Sequence, residues 1–255
     1  MSLGRVKRYK TYITAIDGML QGGIPAGSII LLLGEPGCLT ETFAQQIVFN
    51  RSRMGDMVYY VNIDKSREDV KADLAVFNWD ITQFEEEDSW NFIDVYSARF
   101  ITGNQPKGIM GEGIQTWGAG TINMLRTQFF PTITQTKSNY TTVIETISRL
   151  LTEYSIDVVL ELIEYLIHQT RQNQRDGGDG GLHLLLMGKG IHDEKTEAII
   201  SNMVDGVIEF FFLERMGTLE RCIRIKKLRK TIFDTRTLVQ NLTENGIKIE
   251  TTTRI

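Results

Sequence analysis

With 255 residues, 42% of them hydrophobic and 24% charged, the chain has an ordinary soluble composition and a length that suits one α/β domain spanning residues 1–255. A formal net charge of −4 supplies no global pull toward nucleic-acid phosphates, which makes nucleic acid a secondary class of partner. The basic N-terminus (Arg5, Lys7, Arg8, Lys10) runs into polar residues instead of an apolar signal core, and no 18-residue apolar run follows, so no membrane association and a cytoplasmic location are expected. Two cysteines, Cys38 and Cys222, make neither a metal spacing nor a disulfide framework, which fits a reducing compartment.

The first strong strand signal, residues 28 to 33, leads directly into Gly34-Glu35-Pro36-Gly37-Cys38-Leu39-Thr40-Glu41. An apolar strand ending in Gly-x-x-Gly before a helix opens like a phosphate-binding loop. Such a loop continues as Gly-Lys-[Ser/Thr], so that backbone amides, a lysine and a magnesium-bound hydroxyl hold the nucleotide. Here those three positions are Leu39, Thr40 and Glu41. Thr40 removes a positive charge and Glu41 adds a negative one; at about 4 Å and an effective dielectric near 20, one unit charge pair is worth roughly 4 kcal/mol, so attraction turns to repulsion. If the Leu39 position needs a left-handed backbone, leucine costs roughly 1–2 kcal/mol there and fills phosphate space, and a change in loop shape is expected. Glu41 has a second reading as a first-turn carboxylate favoured by the helix dipole and standing in for the missing phosphate. Cys38 reads as a small residue filling a variable loop position, the alternative being a thiol activated at a helix N-terminus.

Further strand signals follow at residues 57 to 63, 90 to 96, 140 to 145 and 182 to 187, with helix-length intervals between them. Continuous apolar runs suit strands buried on both faces of a parallel sheet. After Asp205 the runs at 206 to 213, 221 to 228, 235 to 242 and 246 to 250 are separated by short breaks, Lys230-Thr231 among them, which predicts antiparallel strands at the C-terminal end. The fold class expected is a mostly parallel central sheet with helices on both faces.

Residues 101 to 120 carry six glycines and read as a mobile excursion, leading into a helical stripe of Ile122, Leu125 and Phe129. That stripe is either the inward face of a crossover helix or a site for a protein or peptide partner. Residues 175 to 181 read as a flexible tip, with a calcium loop of Asp176 and Asp179 as the weaker alternative. The acidic run from 85 to 88 reads as solvated surface. His183 reads as packed in its strand, and His192 lacks the neighbours a metal site needs; no metal site and no nucleophilic triad are predicted.

These residues carry a resemblance. The run from Gly18 through Gly22-Gly23-Ile24-Pro25 to Ser28, then Gly34-Glu35-Pro36-Gly37 and Thr42-Phe43-Ala44-Gln45-Gln46, resembles the entry segment of KaiC-like ATPases of the RecA superfamily. Ser66-Arg67-Glu68-Asp69, Ile93-Asp94-Val95-Tyr96-Ser97, Val143-Ile144-Glu145, Asp205-Gly206-Val207 and Lys227-Leu228-Arg229 resemble later parts of the same family. The resemblance implies a RecA-like P-loop sheet that binds ATP between subunits, often in hexameric rings. It also implies that Asp64 and Lys65 stand where the family has a pair of glutamates, that Glu145 stands for the Walker B aspartate, and that Lys227 and Arg229 match residues able to reach a neighbouring subunit's nucleotide. Lys65 is expected to pair with Asp64 or Glu68. The alternative for Lys226, Lys227, Arg229 and Lys230 is solvent-facing, edge-protecting charge.

With the phosphate loop altered at adjacent positions, the leading expectation is an inactive relative with no cofactor. Gly34, Glu35, Pro36, Gly37, Cys38, Leu39, Thr40 and Glu41 are then vestigial, as are Asp64 and Glu145. Such a protein would serve an unidentified protein or peptide partner and form a monomer or two-fold dimer instead of a hexamer. The alternatives are an unusual nucleotide-binding switch or weak ATPase, and a DNA-transaction accessory protein using the basic strip from 221 to 230.

Overall fold

A computed structural model describes residues 7–101 and 120–250, without the side chains of 99–101. A short pair, β1 (Arg8–Tyr9) with β2 (Ile24–Pro25), flanks α1 (Thr14–Met19). The main sheet then begins with β3 (Ser28–Gly34), α2 (Thr40–Ser52), β4 (Met57–Asn62), α3 (Arg67–Ala75), α4 (Thr82–Glu86), β5 (Trp90–Asp94) and α5 (Val95–Ile101). After a π-helical turn (Leu125–Phe129) come α6 (Phe130–Gln135), β6 (Tyr140–Glu145), α7 (Ile147–Glu153), α8 (Ile156–Arg175), β7 (Leu182–Gly188) and α9 (Glu194–Met203). The strands β8 (Gly206–Arg215), β9 (Thr218–Leu228), β10 (Leu238–Thr243) and β11 (Gly246–Ile249) close the chain.

The nine-stranded sheet has the order β11-β10-β9-β8-β3-β7-β6-β4-β5. From β8 to β5 all neighbours are parallel, and β9, β10 and β11 finish it antiparallel. The apolar runs are continuous because both faces are covered. Ile30 and Leu32 face one core with Phe43, Ile47 and Val48 of α2, while Ile29, Leu31 and Leu33 face a second core with Val159, Ile163 and Leu166 of α8. Every residue of β3 is buried.

Several of the predicted boundaries move. The strand expected over 90 to 96 stops at Asp94, whose Oδ1 accepts the Ser97 amide at 2.9 Å and starts α5 at Val95. Lys230-Thr231 is no tight turn: β9 ends at Leu228, and β10 begins at Leu238. The β8–β9 connection is a two-residue turn, with Met216 (φ 49°) and Gly217 (φ 75°) between the paired Arg215 and Thr218.

The β10–β11 hairpin lies over α2, whose Gln46 side chain donates to Ile247 O at 3.2 Å and accepts from Ile247 N at 2.7 Å, as a neighbouring strand would. The segment from 175 to 181 is tied down instead of free. Asp179 Oδ2 accepts from Lys7 Nζ at 2.6 Å and from the Tyr9 hydroxyl at 2.7 Å, and its Oδ1 accepts from the Gly181 amide at 2.8 Å. The glycine-rich stretch expected to be mobile lies, from 102 to 119, outside the described residues. Leu125 and Phe129 are buried in the second core and Ile122 packs against it, so this stripe meets the molecule's own interior. Among the described residues, no helix is long and apolar enough to cross a membrane.

Candidate functional site

The carboxyl ends of β3, β4, β6 and β7 open onto a cleft of about 260 Å³ whose floor is the loop from Gly34 to Glu41. Leu39 takes the left-handed conformation (φ 62°, ψ 25°) immediately before α2 and supplies no side-chain cap. A non-glycine residue held there stores on the order of 1 kcal/mol or more, and the packing of Leu39 against the first core offsets it. The loop thus enters its helix in the conformation glycine favours, although glycine is gone. Gly37 is also left-handed (φ 85°), and Gly34 is a close-approach position because a Cβ there would overlap the Thr40 hydroxyl folded back over it.

The cleft's charges converge on Lys65. Its Nζ contacts Glu41 Oε1 directly, donates to Asp73 Oδ2 at 2.7 Å and lies 3.9 Å from Glu145 Oε1. Burial works against the ammonium, but the hydrogen bonds to Asp73 and Glu41 outweigh it and raise its pKa above the usual lysine value. Lys65 therefore pairs with Glu41 and Asp73, not with Asp64 or Glu68. Asp64 stays 40% exposed, 4.0 Å from Arg149 Nε. Glu145, at the end of β6 and 5% exposed, accepts the Tyr60 hydroxyl at 2.5 Å. Burial first, then the neighbouring Glu41, push its carboxyl up to about 8, which keeps it largely protonated at neutral pH. The Glu145–Thr146 peptide is cis.

The loop's other flank is tied to the C-terminal strands. Glu35 accepts from Lys189 Nζ and from the Phe212 amide, each at 3.1 Å. Arg221 Nε donates to Gly37 O at 3.0 Å, and Gln240 Nε2 donates to Cys38 O at 2.7 Å. Lys189 and Arg224 also reach the buried Glu209, at 3.2 and 2.5 Å. Cys38 is fully buried, and burial followed by Glu35 pushes its thiol up to about 11; it is a packed thiol, as its small-residue reading expects.

Lys227 is neither an edge-protecting charge nor extended outward. Its Nζ donates to the carbonyls of Ser201, Asn202 and Val204 at 2.8, 2.9 and 2.7 Å, closing the C-terminus of α9. Arg229 joins it at Asn202 O, 3.1 Å away, and at Asp205, 3.7 Å away. His183 is buried between Thr142, Thr170 and Gly180 O, and burial lowers its pKa to about 4, so it is a neutral core residue. His192 brings no partner cluster: among the described residues, no group of His, Cys, Asp and Glu is arranged to hold a metal ion.

Sequence reasoning missed Tyr60, Asp73, Lys189 and Gln240 as residues of this region. Lys189 was the one open to detection, because it directly follows a strand whose carboxyl end borders the cleft.

A twisted parallel sheet with a strand–loop–helix phosphate-loop element at β3–α2, a buried carboxyl group at the end of β6 and an antiparallel C-terminal extension defines a RecA-like P-loop fold. The chain belongs to the KaiC ATPase family, whose sequence model, described as ATPase: KaiC, matches residues 9–254. A UPF0273 protein of Pyrococcus furiosus is 37% identical over 93 residues, covering 36% of this chain and 38% of that protein. A UPF0273 protein of Thermotoga maritima is 36% identical over the same length and shares. The matched stretch thus spans under two fifths of the length of these curated relatives. The crystal structure of a KaiC-like protein from Pyrococcus horikoshii superposes with a TM-score of 0.68 over 96% of this chain and 100% of that one, at 20% identity, a likeness of fold alone.

Proposed function

We propose that this protein is a KaiC-like pseudo-ATPase: a RecA-like scaffold that neither binds nor hydrolyses ATP and acts by binding a protein or peptide partner. The observation that carries this reading is the engagement of Glu41 with Lys65 in the cleft where a phosphate and its cation would lie. Leu39 and Thr40 add to it, the first by filling loop space and the second by leaving the β and γ phosphates without their lysine. Glu145 held largely protonated is a poor magnesium ligand, since ligating carboxylates must be ionised.

The assembly reading follows from the same loss. In a fold where nucleotide lies at a subunit boundary, nucleotide binding energy is also assembly energy. Lys227 and Arg229 are engaged with their own α9 terminus, which supports a monomer or two-fold dimer over a nucleotide-dependent hexamer. The DNA-accessory reading gains nothing from the basic strip, because Arg221, Arg224 and Lys227 each have internal partners.

The test is back-substitution. Leu39→Gly, Thr40→Lys and Glu41→Thr together should restore measurable MgATP affinity to a folded protein, and ATP should then drive assembly detectable by light scattering. Wild-type protein that releases phosphate from ATP, or assembles on adding it, contradicts the proposal.

A further inference from the structure

In a P-loop the magnesium ion sits between the hydroxyl that follows the loop lysine and the carboxylate at the end of a neighbouring strand. In this chain those positions are Glu41 and Glu145, and the group between them is the ammonium of Lys65, in direct contact with Glu41 and 3.9 Å from Glu145. Asp73, on α3, adds a third carboxylate at 2.7 Å. A magnesium ion needs near-octahedral oxygen ligands at about 2.0–2.1 Å. That sphere cannot form around a point whose neighbour is a lysine ammonium of the same sign, already in contact with the Glu41 carboxylate. The residues present do not fit the metal that the family's chemistry requires.

We propose that Lys65 is a tethered replacement for the divalent cation of this fold: its ammonium bridges Glu41 and Asp73 beside the Glu145 carboxyl group, and takes the cation's position in the cleft without metal. Its source is a local charge inversion. Lys65 leaves the tip of β4, two strands away from β7 in the sheet, at a position where the family resemblance expects a glutamate, and its stem is long enough to cross to the first turn of α2. Glu41 completes the exchange, since a carboxylate at a helix N-terminus takes the place of the anionic phosphate. Anion and cation are then both supplied by the chain, as a salt link between α2 and the β4–α3 turn. With Lys65 only about one-third exposed, its loss would leave Glu41 and Asp73 facing one another without the ammonium between them.

The inference rests on the reading of the cleft as closed to nucleotide, but its test contains no nucleotide, so the two can fail separately: that reading fails if wild-type protein binds MgATP. The experiment is thermal unfolding of the full chain, as wild type, Lys65→Met and Lys65→Arg, in EDTA and in millimolar Mn²⁺, with Mn²⁺ binding followed by electron paramagnetic resonance. Wild type and Lys65→Arg should melt at the same temperature in both conditions and bind no Mn²⁺. Lys65→Met should melt lower in EDTA by about 2–4 °C, and Mn²⁺ should restore it by entering the vacated position between Glu41 and Asp73. Should Lys65→Met not fold in EDTA, recovery of its folded fraction on refolding with Mn²⁺ reads the same effect. The proposal is overturned if Mn²⁺ stabilises the wild type, if Lys65→Met is as stable as wild type in EDTA, or if Mn²⁺ neither binds nor rescues it.

Discussion

The two ends of the sheet's strands both carry ionic clusters, and they are built to opposite rules. At the amino ends, the Arg51 guanidinium meets Asp56 directly, donates to Thr141 at 2.8 Å and to Lys10 O at 2.8 Å, and stacks on Tyr9 at 4.0 Å. Both members of that pair are nearly inaccessible, at 6% and 3% exposure, and Asp179 nearby is matched by Lys7 and Tyr9. At the carboxyl ends Lys65 faces Glu41, Asp73 and Glu145, and Glu41 and Lys65 are each 33% exposed. The first cluster is matched donor for acceptor and buried, as a structural staple must be. The second has more carboxyl groups than cations, open to water, at the end of the sheet where α/β folds place their ligands. The cluster at the carboxyl ends keeps its carboxyl groups and its opening to water, and has not been converted into core.

The sharpest way to break this comparison is Arg51→Ala. Leaving Asp56 buried and unpaired should cost about 3–5 kcal/mol in urea unfolding, several times what a partly exposed pair such as Glu41–Lys65 contributes. Equal costs for Arg51→Ala and Glu41→Gln would erase the distinction between the two ends.

The next effect is on acid stability. His183 titrates in the unfolded chain near 6.5 and in the folded protein near 4, so its contribution is present above pH 6.5 and is lost as pH falls toward 4. That amounts to on the order of 3 kcal/mol. Unfolding free energy measured between pH 7 and 4 should fall accordingly, and the slope should flatten in His183→Asn; an unchanged slope would show that other groups carry the acid limb.

A second limb runs the other way. Glu145 is raised from 4.5 to about 8, so the folded state holds its proton more tightly than the unfolded one, and stability should decline as pH rises through that window. Burial of Glu145 sets most of this limb, and the repulsion from Glu41, screened because Glu41 is partly exposed, adds the smaller part. Glu145→Gln should remove it, and a variant that still loses stability from pH 5 to 8 would reassign the cause.

The smallest effect lies far from both clusters, at the tip of the β8–β9 hairpin. Met216→Asn should stabilise by a few tenths of a kcal/mol, because asparagine tolerates the left-handed φ of 49° that methionine is forced into. A loss of melting temperature would mean the exposed methionine makes contacts that this turn does not display.

Most of the fold could be read from the chain because the parallel strands are buried on both faces and so appear as unbroken apolar runs. The end of β5 could not, since Val95 continues the apolar run and only the Asp94 hydrogen bond to Ser97 turns the backbone into a helix. At the site, Leu39, Thr40 and Glu41 announce themselves by departing from a contiguous motif. The partner of Lys65 does not. Local spacing suggests Glu68, whereas Glu41 is 24 residues away, on a helix that follows a different strand of the sheet. Lys227 misled for the same reason: a lysine in a hairpin strand reads as solvated until α9 ends beside it.

On the proposed function, the cleft supplies its own charges in place of those a nucleotide and its metal would bring. Isothermal calorimetry of wild-type protein titrated with ATP and magnesium measures this directly. No saturable heat is expected up to millimolar ATP; saturable binding with a micromolar dissociation constant would contradict the proposed function.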